Sequence, residues 1–361
     1  MDIKLSIKLK NIFSLYNFFK VLFIVLITFS TTKIEAKIYK VENIEVIEPY
    51  DIYFKKEKVI EKAFSDAFDR LILKIVSSKD YKNVSSKDKK IIRSLIDSFE
   101  IIEEKFINKN YSAKFNVMFE RKGVINFLHK QNIKSSIPKD ENVFFIPILV
   151  NLENNELFLY NDNIFFSNWN INQLDRYLLK YLIPEDDLED FNIIKKNIGN
   201  IEGYNFEEIS LKYFNQNSIY SIFFVDNNNL DIMSKINFEN YNKILKKEYK
   251  NVNLSKIEEV QKIITDLKIS FEDEWKAVNE INLSIKLPLT ISLPSKEIIL
   301  IKKFESELLK SDLVYDYQID KFSKDKNIYK IIFNGTPNKF LSDFKSKNFE
   351  IDISKEIWNI Q

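Results

Sequence analysis

The chain has no cysteine and a single histidine, His129. The lack of cysteine excludes disulfides, thiolate catalysis, cysteine-ligated zinc and a lipid-modified cysteine. Glycine and proline are also scarce, with 4 and 7 residues in a chain of 361. Turns must therefore rely on Asn and Asp, which tolerate left-handed backbone geometry.

Neither sign of charge dominates, since 54 Lys and Arg face 53 Asp and Glu. No basic run forms a phosphate-binding stripe, so we expect no nucleic-acid partner. The composition is 45% hydrophobic and 14% aromatic, which differs from that of disordered chains. A chain of this length is expected to fold into two or three domains.

Residues 1–36 are typical of a secretory signal peptide. Lysines in the first 20 residues precede an apolar run from Val21 to Phe29, and Ala36 ends a plausible cleavage sequence. The run is shorter than the roughly 20 residues of a membrane span. We therefore expect cleavage after Ala36 and a periplasmic mature chain without a transmembrane span, although peripheral membrane contact is not excluded. The alternative is an uncleaved anchor from Ile12 to Phe29 with Lys20 snorkelling.

Hydrophobic periodicity predicts an N-terminal α+β domain over 37–138. The elements follow the order β-α-α-β-β-α. They comprise a strand over 38–47, helices over 56–76 and 91–96, strands near 99–103 and 111–119, and a helix through 124–128. The turn of the hairpin is expected at 108–110, where two asparagines flank a lysine.

A middle α/β layer domain is predicted over 142–250. Val143 to Val150 is a continuous apolar run, which suits a strand covered on both faces. Helices are expected near Leu174 to Leu182 and from Phe206 to Phe214. Two strands then follow, over 219–225 and 230–236, joined by a turn at 226–229.

A long amphipathic helix is predicted over 255–280, followed by a C-terminal domain over 283–361. In the helix, apolar residues that include Trp275 recur at near-heptad spacing. The C-terminal pattern is βαββαβ, that of a ferredoxin-like unit, with Pro294 in the first turn of its first helix and a last strand from Phe349 to Trp358. The fold class is therefore α+β, or mixed α/β, built from several small modules.

The sequence offers no clear catalytic, cofactor-binding or metal-binding residues. His129 lies near a helix end with no second histidine to complete a metal site or triad. The acidic residues of 185–190 could attract Ca²⁺, but they lack the spacing and glycine of a calcium loop, and a solvated helix start explains them better.

Other acidic and glycine residues also lack a catalytic pattern. Glu103 and Glu104 point to opposite faces of a strand, whereas a general acid and base must converge. In the segment Glu272, Asp273 and Glu274, Trp275 is expected to be a packing anchor. The glycines fit neither a phosphate loop nor a dinucleotide fingerprint: Gly123, Gly199, Gly203 and Gly335.

With this order of elements, the chain resembles the proteobacterial envelope proteins grouped as domain of unknown function 2066. The resemblance rests on packing motifs: Ala63-Phe64-x-x-Ala67-Phe68-x-x-Leu71, Leu95 to Phe99, Ile101-x-x-Glu104, Tyr111 to Phe119, Phe144 to Ile148, Trp275, Leu287-Pro288-Leu289 and Trp358. This chain has Ser77-Ser78 where family members often have a glycine. The resemblance implies an exported protein with this architecture, and it supplies no catalytic residues.

These features favour a non-enzymatic envelope protein that binds another envelope protein or assembly. Two alternatives stay open. A hydrolase that uses only carboxylates, such as a glycan-cleaving enzyme, needs neither His nor Cys. A carrier of lipid or a small ligand would use an aromatic-lined cavity, although core packing also explains the many aromatic residues.

Overall fold

A computed structural model describes residues 38–84, 88–171, 177–213, 217–238, 241–282, 285–311 and 313–360. The predicted signal peptide and its cleavage site lie outside these residues. The described residues form three β-sheets with associated helices, which confirms the predicted α+β class. Within these ranges, no helix is long and apolar enough to cross a membrane.

The N-terminal sheet has three antiparallel strands in the order β1-β3-β2. Its elements are β1 (Ile38–Pro49), α1 (Lys56–Ile75), α2 (Ser78–Tyr81), α3 (Lys89–Ser94), β2 (Ile96–Ile107), β3 (Asn110–Glu120) and α4 (Arg121–Lys130). The apolar stripe of α1, which includes Ala63, Phe64 and Phe68, is buried. The predicted hairpin is confirmed, and both of its loop residues, Asn108 and Lys109, have positive φ.

The middle sheet has β4 near its centre. Its elements are β4 (Glu141–Asn151), β5 (Glu156–Phe158), α5 (Ile164–Asn168), β6 (Leu179–Leu182), α6 (Leu188–Lys196), α7 (Glu207–Lys212), β7 (Ser218–Asp226), β8 (Asn229–Phe238) and β9 (Tyr241–Tyr249). The strand order is β5-β4-β7-β8-β9, and β6 also pairs with β4. β4 runs parallel to β6 and β7, whereas β8 and β9 continue as antiparallel hairpins.

Strand β4 is covered on both faces, as its continuous apolar run predicted. Val143 and Phe145 pack into one core with α5 and α8 (Ile257–Val278). Phe144 and Ile146 pack into a second core with α6 and α7. The middle region is therefore a three-layer α/β/α arrangement.

The long helix α8 packs within the chain, against the middle sheet. Its buried face includes Leu267, Phe271 and Trp275, which share a core with β4 and β8. Trp275 is an anchor, as expected, since it is fully buried and its indole Nε1 donates to the carbonyl oxygen of Lys139 at 2.8 Å.

Several features of the middle region differ from the sequence predictions, and the short elements β5 and α5 had no predicted counterpart. The helix predicted near Leu174 to Leu182 is wrong over 179–182, where Leu179 and Tyr181 are buried and alternate with exposed residues in β6; residues 172–176 lie outside the described part. Strand β9 was not predicted, because its lysine-rich outer face hides the alternation of an edge strand.

The C-terminal sheet has the order β11-β12-β10-β14-β13. Its elements are β10 (Leu287–Pro294), α9 (Ile298–Lys310), β11 (Val314–Phe322), β12 (Lys326–Phe333), α10 (Pro337–Lys345), β13 (Ile351–Asp352) and β14 (Trp358–Ile360). The ferredoxin-like unit is not confirmed, because β14 runs parallel to β10, whereas neighbouring strands of a ferredoxin-like sheet are antiparallel.

Two further C-terminal predictions are wrong in detail. Pro294 is the last residue of β10 and pairs with Lys326, so helix α9 begins later, at Ile298. The single strand predicted from Phe349 to Trp358 is instead the two short strands β13 and β14, which pair with each other.

Buried apolar side chains of the N-terminal and C-terminal sheets form one continuous cluster that includes Phe68, Phe119, Phe304 and Phe340. The division into domains stays a prediction. Asparagine does take the place of glycine in turns, as the composition predicted: seven of the ten non-glycine residues with positive φ in the described ranges are Asn, and no glycine there has positive φ.

Candidate functional site

A cleft of about 590 Å³ lies between the N-terminal sheet and the middle sheet, within the range of small-molecule sites. It is lined by residues that are far apart in the sequence. They include 38–43 of β1, three residues of α1, Arg121 at the start of α4, Pro138, Asp140, the segment 177–181 and Lys268 of α8. We call this space the cleft.

The cleft is strongly cationic for a chain that is nearly neutral overall. Two carboxylates, Glu42 and Asp140, are among the described residues that line it. Six cationic side chains line it as well: Lys40, Arg70, Lys74, Arg121, Lys180 and Lys268. Lys40 forms an ion pair with Glu42 at 2.5 Å. Lining of this kind concentrates positive potential in a partly enclosed space, which attracts anions.

Lys268 is the most buried cation of the cleft, with 3% of its surface exposed. Its Nζ donates to the carbonyl oxygen of Trp169 at 2.6 Å. It also lies 5.5 to 6.0 Å from the ring centroids of Trp169, Tyr177 and Tyr181. Burial lowers the pKa of Lys268 to about 8. The ammonium is held by a neutral carbonyl and by ring faces, so a bound anion would stabilise its charged form.

Arg121 forms part of the opposite wall, at the N-terminus of α4. Its guanidinium lies 4.8 Å from the centroid of the Tyr39 ring. Burial lowers the pKa of Arg121. Burial also raises the pKa of Tyr39 to about 12, although the charge of Arg121 opposes this rise. The pair therefore presents a charged guanidinium beside a neutral phenol.

Two buried hydroxyls border the cleft without a hydrogen-bond partner among the described residues. They belong to Tyr39 and Tyr181, and burial raises the pKa of Tyr181 well above its usual value. A buried hydroxyl left unpaired typically costs about 1–3 kcal/mol. Because neither hydroxyl oxygen is exposed to the cleft, each would reach a ligand there only after its side chain moves.

Helix α8 connects the two walls of the cleft. Its Glu272 carboxylate accepts hydrogen bonds from the backbone N–H groups of Leu178 and Leu179, at 3.0 and 2.7 Å. Burial raises the pKa of Glu272, and these N–H groups oppose the rise. One turn later, Lys276 donates to the carbonyl oxygens of Leu73 and Val76 at the end of α1, at 2.7 and 2.9 Å.

The carboxylates of 272–274 therefore bind groups on other secondary-structure elements. They do not converge on one point as a general acid and base would. Asp273 accepts from the backbone N–H of Ser78 at 2.7 Å. Glu274 accepts from the Tyr241 hydroxyl and from Lys243. All three acidic side chains are thus engaged in contacts between elements.

The acidic residues of 185–190 include a helix start, as predicted, but the predicted solvation is wrong for Asp190, which is fully buried and accepts from the Tyr213 hydroxyl. The Asp187 side chain caps α6 by accepting from the backbone N–H groups of Glu189 and Asp190. Lys212 pairs with the carboxylates of all three residues. Within the described residues, no group of three or more His, Asp or Glu side chains is arranged to hold a metal ion.

The remaining sequence candidates also lie away from the cleft. Glu103 and Glu104 have different partners, Lys114 and Lys56 respectively, in keeping with their expected opposite orientation. His129 is exposed near the end of α4, as predicted. Gly123 lies in α4, Gly199 in a short 3₁₀ helix (Ile198–Asn200), Gly203 in a turn and Gly335 in a bend.

Sequence analysis missed every cationic residue of the cleft. One signal was present: Lys268 interrupts the apolar face of the long helix between Leu267 and Phe271, and a lysine at a core position is unusual unless it is paired. The other cations come from β1, α1, α4 and β6, which no local pattern connects.

No family model matches the chain. No curated protein has a significantly similar sequence. The resemblance to the envelope proteins of domain of unknown function 2066 therefore stays a prediction.

Proposed function

We propose that this chain is an exported envelope protein that acts as a non-enzymatic binding module, and that its cleft binds a small, multiply charged oxyanion. The observation that carries the proposal is the lining of the cleft. Six cationic side chains, among them the buried Lys268, surround a space of about 590 Å³ that holds only two described carboxylates.

The chemistry of the cleft favours an anion with several oxygen atoms. Arg121 offers a planar donor that suits carboxylates and phosphates. Lys74 and Lys180 add positive charge. The ligand class is therefore a polycarboxylate or a polyphosphate, whether free or attached to a larger envelope molecule.

Binding is better supported than hydrolysis. Hydrolysis by carboxylates requires one acid that stays protonated in apolar surroundings. In the cleft, Glu42 is instead ion-paired with Lys40, and cations outnumber carboxylates.

Export and a periplasmic location rest on the signal-peptide pattern of 1–36, and a protein partner in the envelope is a further proposal. Crosslinking in cells, followed by mass spectrometry, tests for that partner, and repeated recovery of the chain alone would count against it.

Isothermal titration calorimetry with citrate and pyrophosphate tests the cleft. We expect the double variant Lys74→Gln/Lys180→Gln to lower the affinity for either anion about tenfold or more, since it removes two charges near the ligand. Added salt is expected to weaken binding to the unaltered protein, because it screens these charges.

The matched control is Lys246→Gln/Lys250→Gln, which removes the same charge from exposed positions outside the cleft. It is expected to bind as the unaltered protein does. If neither anion binds the unaltered protein, or if both double variants lose affinity equally, the proposed function is wrong. Circular dichroism of each variant verifies that it is folded.

A further inference from the structure

A second surface of the chain differs chemically from the cationic cleft. It consists of exposed apolar side chains at one end of the N-terminal sheet. There the loop that follows β1 meets the hairpin of β2 and β3. Five side chains form this surface, which we call the apolar tip: Tyr50, Ile52, Tyr53, Phe106 and Ile107. All five are more than half exposed, and Ile52 and Tyr53 reach 90% and 77%.

The base of the apolar tip is well fixed. The backbone N–H of Tyr50 donates to the carbonyl oxygen of Lys109 at 2.7 Å, which joins the loop to the hairpin. The Tyr50 and Phe106 rings are 5.0 Å apart. Each also contacts a second ring beneath it, Phe54 and Tyr111 respectively. A packed aromatic cluster therefore holds these apolar side chains in positions where they face solvent.

A small excess of positive charge borders the apolar tip. The stretches 50–58 and 105–110 contain the acids Asp51 and Glu57 and a larger number of lysines: Lys55, Lys56, Lys58, Lys105 and Lys109. Of these lysines, Lys56 and Lys105 form ion pairs with Glu104 and Glu103. The others are exposed beside the apolar side chains. This combination complements a surface that is apolar below and anionic above.

An open cavity of about 650 Å³ borders the apolar tip, and Tyr53 is one of its lining residues. Lys55 and Lys58 line it. Its acidic lining residues are Glu48, Asp51 and Glu61, of which Glu48 and Glu61 pair with Lys62 and Lys89 at 2.6 and 2.9 Å. The cavity thus offers space and positive charge for a phosphate headgroup.

From these observations we propose that the apolar tip inserts into the interfacial layer of a membrane that contains anionic phospholipid. Ile52, Phe106 and Ile107 would enter the acyl boundary, and the tyrosines would lie at headgroup depth, where aromatic residues with a polar end are favoured. The neighbouring lysines then reach lipid phosphates. Apolar side chains at the ends of two loops suit a bilayer, which needs no complementary groove.

Vesicle flotation tests the proposal on the chain recovered after export. We expect binding to vesicles of phosphatidylcholine with phosphatidylglycerol, and weaker binding to phosphatidylcholine alone. The variant Ile52→Ser/Phe106→Ser is expected to lower the partition coefficient on anionic vesicles about tenfold or more. Lys55→Gln/Lys58→Gln should lower it on anionic vesicles and leave the binding to neutral vesicles unchanged.

The matched control is Leu188→Ser/Ile299→Ser, which makes the same kind of change at exposed positions elsewhere. It should bind vesicles as the unaltered chain does. Equal loss in the control and the tip variant, or no vesicle binding by the unaltered chain, would overturn the proposal. A third result would also overturn it: the unaltered chain does not bind vesicles but self-associates, and the tip variant abolishes this self-association. The apolar tip would then be an interface between copies of the chain. Anion binding in the cleft is measured separately and does not decide this result.

Discussion

Lys268 has a charge in surroundings that favour the neutral amine. It is nearly fully buried among aromatic rings, and a carbonyl oxygen is its hydrogen-bond acceptor. Because burial lowers its pKa to about 8, keeping the ammonium charged at neutral pH costs folding free energy. A buried lysine of this kind lowers the stability of the fold and is not expected where stability alone is selected. In a site that binds an anion, the same charge contributes to binding.

The variant Lys268→Met removes the cost of the buried charge but also the hydrogen bond to the Trp169 carbonyl oxygen. Because the desolvation cost is the larger of the two, the variant should be more stable than the unaltered chain near neutral pH, by about 1 kcal/mol. The folded pKa lies below the unfolded value of roughly 10.4. Between the two, the unfolded chain binds more protons, so the stability of the unaltered chain rises with pH. The advantage of the variant should shrink accordingly as the pH rises from about 8 to about 10.

Urea denaturation of both proteins across this pH range measures the difference. A constant difference in the free energy of unfolding between the two proteins would show that Lys268 does not titrate in this way. Lys296→Met, at an exposed position, serves as the control and should change stability little at any pH.

At the scale of elements, α8 connects the middle sheet to the N-terminal module. Lys276 lies two turns beyond Lys268 on the same helix and is also buried. It donates, however, to two carbonyl oxygens, those of Leu73 and Val76. These lie at the C-terminal end of α1, where the helix dipole favours a cation.

Burial lowers the pKa of Lys276 as well, but the charges of Glu272 and Asp273 oppose this, and Lys268 has no such carboxylates among the described residues. Lys276→Met should therefore destabilise the chain by about 1–3 kcal/mol, because it leaves two carbonyl oxygens without this donor and two carboxylates without this cation. This is the opposite sign to Lys268→Met, although both changes replace a buried lysine with methionine on one helix. Thermal or urea unfolding at neutral pH measures the sign. If both variants shift stability in the same direction, the distinction between a capping lysine and a ligand-facing lysine fails.

Elements with a strong local pattern were predictable from the sequence. The stripe of α1, the apolar run of β4 and the asparagine turn of the first hairpin each determine their structure within a few residues. Elements whose identity depends on neighbours were not. β6 is a strand because it pairs with β4, and β9 is a strand because it pairs with β8; their own sequences are ambiguous or lysine-rich.

At the scale of the whole molecule, the cleft could not be predicted for a related reason. Its walls come from the N-terminal module and the middle region, and they meet only once both are folded. The net charge of the chain did not indicate a cationic site, because acidic residues elsewhere balance the cationic lining in a nearly neutral chain. The apolar tip could not be predicted either, because Ile52 and Phe106 are distant in the sequence and each resembles an ordinary core residue in its local pattern.

The central claim is that the cleft binds an oxyanion beside Lys268. It is tested most directly by calorimetric titration of citrate at about pH 8 in buffers of different ionisation enthalpy. At this pH Lys268 is only partly protonated in the free protein, and a bound anion would favour its charged form. The account predicts that citrate binding takes up part of a proton in the unaltered chain and less in Lys268→Met. The absence of citrate binding, or the same proton uptake in both proteins, would contradict it.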